Sequence, residues 1–195
     1  AMWEWLAYVK LRGVGGDLNL AKSAEETSRK IIHENARQLQ ISDFKFQSLR
    51  EETKRIRERL TNEKATKRKG KEIDIKFGEG GLQDIYFAIR FLQLKDNLPD
   101  IEENRSTLFS LHRLYENNSL STENFENLAE GYKFLSELDH KLRLTVGRST
   151  RLPIANHKSL KVIAHRMKCT SVDALFEKLT FHRLNIHSAF EDVLE

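Results

Sequence analysis

Apolar residues along most of the chain recur every three or four positions, the spacing that places side chains on one face of an α-helix. The clearest run covers residues 123–146, from Phe125 to Val146. With little sign of strands, the pattern predicts an all-α helical bundle of six to eight helices. Weaker apolar stripes predict the other helices over residues 2–11, 18–40, 47–65, 106–115 and 159–167, and a last helix from Thr170 or Ser171 to about residue 193.

One stretch, residues 73–94 (IDIKFGEGGLQDIYFAIRFLQL), has a different pattern. A short extended segment over residues 73–77 leads into a glycine-rich turn at residues 78–81. The helix that follows is apolar over most of its circumference, so it has to be buried on nearly all sides. We therefore expect the other helices to pack around it.

Polar residues and glycines mark where helices begin and end. Asp17 and Thr122 can accept hydrogen bonds from the first backbone N–H groups of the helices that follow them. Gly147 is a natural stop for the helix before it, and residues 67–71, KRKGK, are expected to form a solvated loop. Only two prolines occur, which favours long helices over a fold of strands and turns.

The composition is that of a folded domain. The chain has 195 residues, 39% of them hydrophobic, enough for one domain, or one domain and a piece of another. Ala1 before Met2 resembles the residue left by a removed tag, which points to an excised piece of a longer protein. No apolar run approaches the roughly 20 residues of a membrane helix, and a single cysteine, Cys169, excludes a disulfide framework. A reducing, cytoplasmic setting is expected.

The mild net charge of +4 is unevenly spread. Residues 50–71 hold ten Lys or Arg and four Glu, a charge of +6, so the rest of the chain carries −2. A basic segment of this kind can meet phosphates or nucleic acid. Acidic residues alternate through its first half, however, and this favours a solvated helix face that runs into a loop.

Common catalytic and metal-binding patterns are missing from the sequence. His182 and His187 are five apart, which separates them by about 140° around a helix, and no HExxH pair occurs, so we predict no metal site. Asp139 and His140 lie in the middle of a periodic core helix. Cys169 has no nucleophile motif around it. No GxxxxGK[ST] phosphate loop is present, and the glycines at residues 13–16 follow no predicted strand, which argues against a dinucleotide-binding fingerprint.

The turn at residues 78–81 is the best candidate for chemistry. Glycines at a helix start leave backbone N–H groups unhindered, and the helix dipole adds positive potential there. Asp74 and Lys76 would project to the same side of an extended run, and a polar stripe of Gln83, Arg90 and Gln93 continues along the helix. This surface would face a nucleotide phosphate or a partner domain. The alternative, which the residues alone favour, is a purely structural corner in which Asp74 pairs with Lys76.

The order of residues in this stretch resembles a known signature. DIKFGEGGLQDIYFAIRFLQL is similar to the DIKxGxGGIREIEFxxQxxQL motif of the glutamine-synthetase adenylyltransferase family, whose helical domain is shared with the PII-uridylyltransferase group. Flanking segments match in the same order: residues 10–17 resemble LKARPVAGD, residues 46–58 the helix before the motif, residues 131–144 the AYRFLRxLEHRLQL helix, and residues 151–153 its TLP. The resemblance covers nearly the whole chain.

The resemblance implies a regulator of nitrogen metabolism in which a nucleotidyltransferase domain attaches AMP to, or removes it from, a tyrosine of glutamine synthetase. Magnesium and ATP act there through an Asp-x-Asp pair after a Gly-Ser turn. That element is absent from this sequence. Residues 1–17 would be the last helix and exit loop of the transferase domain, and residues 18–195 the helical domain. We therefore expect no catalytic residue and no bound cofactor in this chain, which should be inactive alone.

The resemblance also implies which residues lie nearest the chemistry and which partners the domain meets. The expected partners are the chain's own upstream transferase domain, glutamine synthetase and a PII-type signalling protein, with no membrane and no nucleic acid. Residues expected to face the active site or a phosphate are Asp74, Lys76, Gly78, Gly80, Gly81, Asp84 and Arg90. Residues expected to contact the transferase domain are Lys10, Arg12 and Asp17.

The chain departs from the family motif where the motif has Arg-Glu-Ile-Glu. Here Gln83 and Tyr86 replace an arginine and a glutamate, and Asp84 replaces a glutamate, which changes the charge that faces the transferase domain. The alternative to a transferase domain is a function of a different class. The chain would then be a non-catalytic helical module that binds a protein or nucleic acid through the basic segment or the polar stripe.

Overall fold

The computed structural model describes residues 2–65, 72–100, 104–147 and 150–195. Within these residues the chain forms eight α-helices and one small sheet, which confirms the prediction of an all-α bundle. The predicted loop at residues 67–71 lies outside the described residues. The helices are α1 (Met2–Tyr8), α2 (Leu18–Ile41), α3 (Asp43–Leu60), α4 (Leu82–Lys95), α5 (Thr107–Glu116), α6 (Thr122–Val146), α7 (His157–Arg166) and α8 (Val172–Val193), and the strands are β1 (Glu72–Asp74) and β2 (Arg151–Pro153).

Several helix ends are set by caps, not all of them the predicted ones. Asp17 caps α2 as expected, because its Oδ1 accepts hydrogen bonds from the N–H groups of the second and third helical residues. Ser121 rather than Thr122 caps α6, and Ser171 caps α8. Ser42 starts α3 at residue 43, four residues earlier than predicted, and the helix ends in a π-helical turn, Thr61–Ala65.

The sheet is a pair of antiparallel strands. Ile73 lies opposite Leu152 in the register of β1 and β2. The predicted extended segment is therefore correct only as far as Asp74, since residues 75–77 form a turn. The strand β2 was not predicted, because three residues are too few to show an alternating pattern.

Helix α4 lies at the centre of the bundle, as predicted. It contacts α1, α2, α3, α5, α6 and α8, and it supplies Ile85, Ala88, Ile89, Phe91 and Leu92 to the core, each at most 1% exposed. Helices α6 and α8 pack along each other, where Gly131 lets the side chain of Ile186 approach closely. Helix α8 also meets the glycine turn before α4, because Gly80 lies against the backbone of Arg183.

The first helix is part of the same core. Leu6 and Val9 are buried, and α1 packs on α2, α3 and α4. That residues 1–17 belong to a preceding domain in a longer protein stays a prediction. None of the helices in the described part of the chain combines the length and apolarity needed to cross a membrane.

Candidate functional site

The corner between β1 and α4 starts at Asp74, whose carboxylate bends the chain. Its Oδ1 accepts hydrogen bonds from the backbone N–H groups of Lys76 (3.0 Å) and Phe77 (2.8 Å). Its Oδ2 accepts one from Nε of Arg151 on β2 at 3.2 Å. Within the structural alternative, the glycine turn is present, but the predicted ion pair between the side chains of Asp74 and Lys76 is wrong, since the Lys76 ammonium lies instead 5.3 Å from the ring centroid of Phe77. Asp74 ties the corner to the sheet.

The glycines of the corner are required by close approach. A Cβ on Gly78 would lie 2.5 Å from the carbonyl oxygen of Asp74, and one on Gly81 would lie 2.7 Å from that of Gly78. Gly80 has φ +64° and lies directly against the backbone of Arg183 on α8. All three glycines are buried. The corner is thus packed against α8 rather than open to solvent.

The backbone N–H groups at the start of α4 have partners within the chain. Leu82 donates to the carbonyl of Ile75 at 3.1 Å, and Gln83 donates to that of Lys76 at 3.0 Å. The N–H of Asp84 donates to the carbonyl of Gly81 at 3.0 Å. The unhindered donors expected from the sequence are therefore already used, and a phosphate would have to displace these hydrogen bonds.

A buried ion pair lies beneath the corner. Arg57 of α3 and Asp84 of α4 are 4% and 1% exposed, and Nε of Arg57 donates to the Asp84 carboxylate. Arg57 also donates to the carbonyls of Phe77 (3.0 Å) and Gly78 (2.8 Å). The second carboxylate oxygen of Asp84 accepts the N–H of Gly80 at 2.6 Å. One arginine and one aspartate thereby connect α3, the glycine turn and α4.

Arg57 is not singled out by the sequence pattern, because it stands in a helix dominated by exposed charges. A signal is present all the same. Leu49, Thr53 and Arg57 follow one another at intervals of four and are the buried residues of α3. A polar residue that continues a buried row is a candidate for a buried partner.

Helix α8 holds the turn from the other side. Nε and a terminal nitrogen of Arg183 donate to the carbonyl oxygen of Glu79 at 2.8 and 2.6 Å. Burial lowers the pKa of the Arg183 guanidinium, although the carboxylates of Glu79 and Asp84 oppose this. The glycine turn is consequently fixed to α3 by Arg57 and to α8 by Arg183.

His187 joins the buried pair to an open cleft. Its Nδ1 lies 3.8 Å from Oδ2 of Asp84. The nearby carboxylate raises the pKa of His187, mainly through this polar contact, while partial burial opposes the rise. The corner cleft has a volume of about 340 Å³ and is lined by Lys54, Arg57, Glu58, Thr61, Asn62, Glu79, Asp84, His187, Phe190 and Glu191. Lys54 and Glu191 form an ion pair of 2.9 Å across it.

The two histidines considered for a metal site have separate roles. His182 stacks on Phe134 at a centroid distance of 4.6 Å, and burial lowers its pKa. His187 faces Asp84 instead. Among the described residues, no group of three or more His, Cys, Asp or Glu side chains is arranged to hold a metal ion.

The polar stripe on α4 differs from the predicted one. Gln83 and Arg90 are half-buried as expected, but Gln93 is buried and its Nε2 donates to Oδ1 of Asp100 at 2.6 Å. Tyr86 is half-buried beside Gln83 and Arg90, and its ring meets that of Tyr132 edge to face at 6.4 Å. Burial raises the pKa of Tyr86.

Arg90 belongs to a second polar cluster, at the end of α4 opposite the corner. Lys10 lies 4.0 Å from Asp100 and donates to the carbonyl of Arg105 at 3.2 Å. Burial lowers the pKa of both Lys10 and Arg90. Arg12 is exposed, and Asp17 caps α2. The structure therefore brings Asp74, Gly78, Gly80, Gly81 and Asp84 together at the corner and places Arg90 with Lys10.

Comparison with known proteins adds a family match. A family described as GlnD PII-uridylyltransferase matches residues 50–194. The bifunctional glutamine synthetase adenylyltransferase/adenylyl-removing enzyme of Corynebacterium glutamicum is 30% identical over 152 residues, which cover 77% of this chain and 14% of the relative. The enzymes of the same name from Pseudomonas syringae and Vibrio parahaemolyticus are 28% identical over 193 and 194 residues, 98% of this chain and 19% of each relative. The chain thus spans about a fifth or less of these relatives.

Proposed function

Because the chain belongs to the GlnD PII-uridylyltransferase family, we propose that it is the helical domain of a nucleotidyltransferase. The enzyme would attach AMP to a target protein or remove it, as the names of the relatives state for glutamine synthetase. The helical domain would pack on the catalytic domain and shape the cleft in which the transfer occurs. It would act by positioning, since the sequence has no Asp-x-Asp pair of its own.

The observation that carries this proposal is the Arg57–Asp84 pair, which fixes the corner beside an open polar cleft. A surface that shapes an active site has to be rigid, because a misplacement of about 1 Å lowers a transfer rate by roughly two orders of magnitude. The corner meets this requirement through Arg57 and Arg183, which hold the backbone of the glycine turn from two helices. Glu79 is exposed and Lys76 half-exposed, so both can contact another domain.

Magnesium and ATP, which the family resemblance implies, would be held by the catalytic domain. The described residues do not fit a metal site, since no group of three suitable side chains converges among them. Cytoplasmic nitrogen regulation, with glutamine synthetase and a PII-type protein as partners, is likewise proposed for the full-length enzyme.

The proposal is tested by comparing the full-length polypeptide with this 195-residue chain. With ATP, magnesium and glutamine synthetase, the full-length polypeptide should change the mass of the synthetase by one nucleotide, and the chain alone should leave it unmodified. Modification by the chain alone would overturn the assignment of a positioning role. A full-length polypeptide that transfers no nucleotide to or from any protein would overturn the proposed function itself.

The variant Lys76→Ala in the full-length polypeptide tests the corner. We expect the transfer rate to fall by about tenfold, the effect of losing roughly 1.4 kcal/mol of stabilisation in the transition state. Lys133→Ala is the matched control, because Lys133 lies on the exposed side of α6 and pairs with Glu130 at 2.7 Å. Equal turnover in both variants would make the corner purely architectural.

A further inference from the structure

An apolar groove runs between α1 and α2, away from the corner cleft. Its volume is about 470 Å³. One wall comes from α1 and the residues after it, and the other from the first half of α2. The residues that form the apolar walls are Trp5, Tyr8, Leu11, Leu20, Ala24 and Ile31. Leu20 is 70% exposed and Ile31 is 52% exposed, so the groove is uncovered along its length.

The first half of α2 contributes nothing to the buried core. No residue from 18 to 31 is buried, and the first buried residue of the helix is Ile32. Leu20, Ala24, Thr27 and Ile31 are spaced four, three and four apart, which places them on one helical face. Helices in proteins are stabilised mainly by packing of such a face. This face is therefore suited to pack on something beyond the described residues.

Polar contacts keep this half of α2 in place while its apolar face stays open. Glu25 accepts the N–H of Gly13 at 2.7 Å and forms an ion pair with Arg105 at 3.0 Å. Both contacts lower the pKa of Glu25. The walls of the groove are therefore in place in the chain alone, although this half of α2 is held by polar contacts rather than by core packing.

The lining shows what kind of occupant fits. Of the eleven described residues around the groove, Glu4 is the single charged one, so the complementary surface has to be uncharged. Ser23, Ala24, Thr27 and Ser28 are small, which allows a partner backbone to come close. From Leu20 to Ile31 the groove extends about 16 Å, or three helical turns, at 1.5 Å per residue. These features match an apolar helix lying in a groove.

A second copy of the chain fits this shape less well than a separate helix. In a twofold dimer the same surface faces itself, so each groove would meet a groove rather than a single helix. The occupant has to be convex, such as a helix from a different domain. The curated relatives are five to seven times longer than the matched region, so their chains contain further domains.

We propose that an apolar helix of the catalytic domain docks in the α1/α2 groove and anchors the helical domain to it. This inference rests on the proposed function. It is supported by residues 11–20, which join α1 to α2 beside the groove and are all exposed.

The groove and the corner cleft can serve one partner domain. The groove lies toward the end of α4, where His33 of α2 meets Asn97 with a distance of 2.6 Å between Nδ1 and Oδ1. The corner lies at the start of α4, whose 14 residues span about 21 Å. A domain of about 100 residues has a radius of gyration of roughly 13 Å and hence a diameter above 30 Å. Such a domain is wide enough to span the distance between the two ends of α4.

Hydrogen exchange on the full-length polypeptide tests the docking. We expect stronger protection of the amides of residues 22–31 there than in the 195-residue chain, where this half of α2 opens locally. Leu20→Glu should abolish this protection and lower the transfer rate by tenfold or more. The matched control is Leu184→Glu on α8, because Leu184 is 64% exposed and lies outside the groove; it should change neither. Both side chains are exposed, so both variants should fold, as circular dichroism will show.

The outcomes separate the docking from the function. Nucleotide transfer by a full-length polypeptide whose residues 22–31 exchange as fast as in the 195-residue chain would overturn the docking and leave the function standing. Protection that Leu20→Glu removes, in a polypeptide that transfers no nucleotide, would refute the catalytic domain as occupant together with the proposed function. A dimer of the 195-residue chain, detected by light scattering and broken by Leu20→Glu, would overturn the docking by showing that a second copy fills the groove.

Discussion

At the scale of single residues, the Arg57–Asp84 pair is a device for fixing geometry. Removing two charges from water costs several kcal/mol per ion, and their attraction offsets this cost only when both are fully hydrogen-bonded. Arg57 meets that condition through two backbone carbonyls and Thr61, and Asp84 through the N–H of Gly80. The bonds to Phe77, Gly78 and Gly80 each fix one backbone group of the corner. The main effect of the pair is therefore to fix the conformation of the glycine turn, and its net contribution to the stability of the bundle is smaller.

The variant Asp84→Asn should destabilise the chain by about 3–5 kcal/mol, because it leaves the charge of Arg57 buried without a counter-ion. Urea unfolding followed by circular dichroism measures the change. The control is Glu130→Gln, which breaks an exposed pair with Lys133 and should cost less than about 1 kcal/mol. If both variants lose the same stability, the buried pair has no special role.

His187 and His182 should give the stability opposite dependences on pH. The pKa of His187 is raised by Asp84, so its contribution is present below the usual histidine pKa of about 6.5 and is lost as the pH rises. The pKa of His182 is lowered by burial, so its contribution is present at higher pH and is lost as the pH falls.

Unfolding measured between about pH 5.5 and pH 8 checks both signs. His187→Gln should lower the stability more at the acid end, and His182→Gln should lower it more at the alkaline end. His182→Gln also removes the stacking on Phe134, at every pH. The test of the pKa shift is therefore the difference between the stability lost at about pH 8 and the stability lost at about pH 5.5. If the free energies of unfolding of wild type and His187→Gln change in parallel with pH, the coupling of His187 to Asp84 is refuted.

At the scale of elements, the sequence predicts the features that are recorded in the spacing of apolar residues along one helix. Helix α4 is apolar nearly all round, and this pattern alone is enough to predict its central place in the bundle. The sequence does not single out Arg57, because an arginine in a helix of mostly charged residues is expected to be exposed. The Asp74–Lys76 pair is wrongly predicted because the extended run ends at Asp74, whose carboxylate bends the chain there. Contacts between segments distant in the chain, such as Arg183 with Glu79, leave no local pattern to find.

Three glycine variants separate the reasons for glycine in this chain. Gly80→Ala should cost the most, because φ is +64° and the added methyl would overlap the backbone of Arg183; we expect more than about 2 kcal/mol from strain and displacement together. Gly16→Ala has φ +84° but open space around it, so it should cost only the left-handed penalty of about 1–2 kcal/mol. Gly15→Ala meets nothing and has no positive φ, so it should be neutral.

Thermal unfolding of the three variants gives the ranking. A Gly80→Ala protein as stable as Gly16→Ala would mean that the corner moves away from α8 at no cost. That result would also weaken the proposal that the corner is a rigid surface.

At the scale of the whole molecule, the two sides of α4 are built differently. On one side α6 and α8 pack along each other and bury Leu128, Leu135, Leu138 and Ile186 completely. On the other side the first fourteen residues of α2 bury none of their side chains, and polar contacts such as those of Glu25 hold them. Stability in proteins is not uniform, and segments with few buried apolar contacts open first. The open groove should therefore also be the least stable region among the described helices.

Hydrogen exchange on the 195-residue chain alone should show this difference. Amides of residues 22–31 should exchange through local opening, with free energies far below those of residues 85–94 in α4, which should approach the free energy of global unfolding. Glu25→Gln should accelerate exchange in residues 22–31 further, because it weakens the ion pair with Arg105, and the neighbouring change Glu26→Gln is the matched control. Equal protection of the two helices would mean that α2 is stable without its apolar face being covered. In that case a partner would not stabilise α2 by covering it, and the free energy of docking would have to come from the new contacts alone.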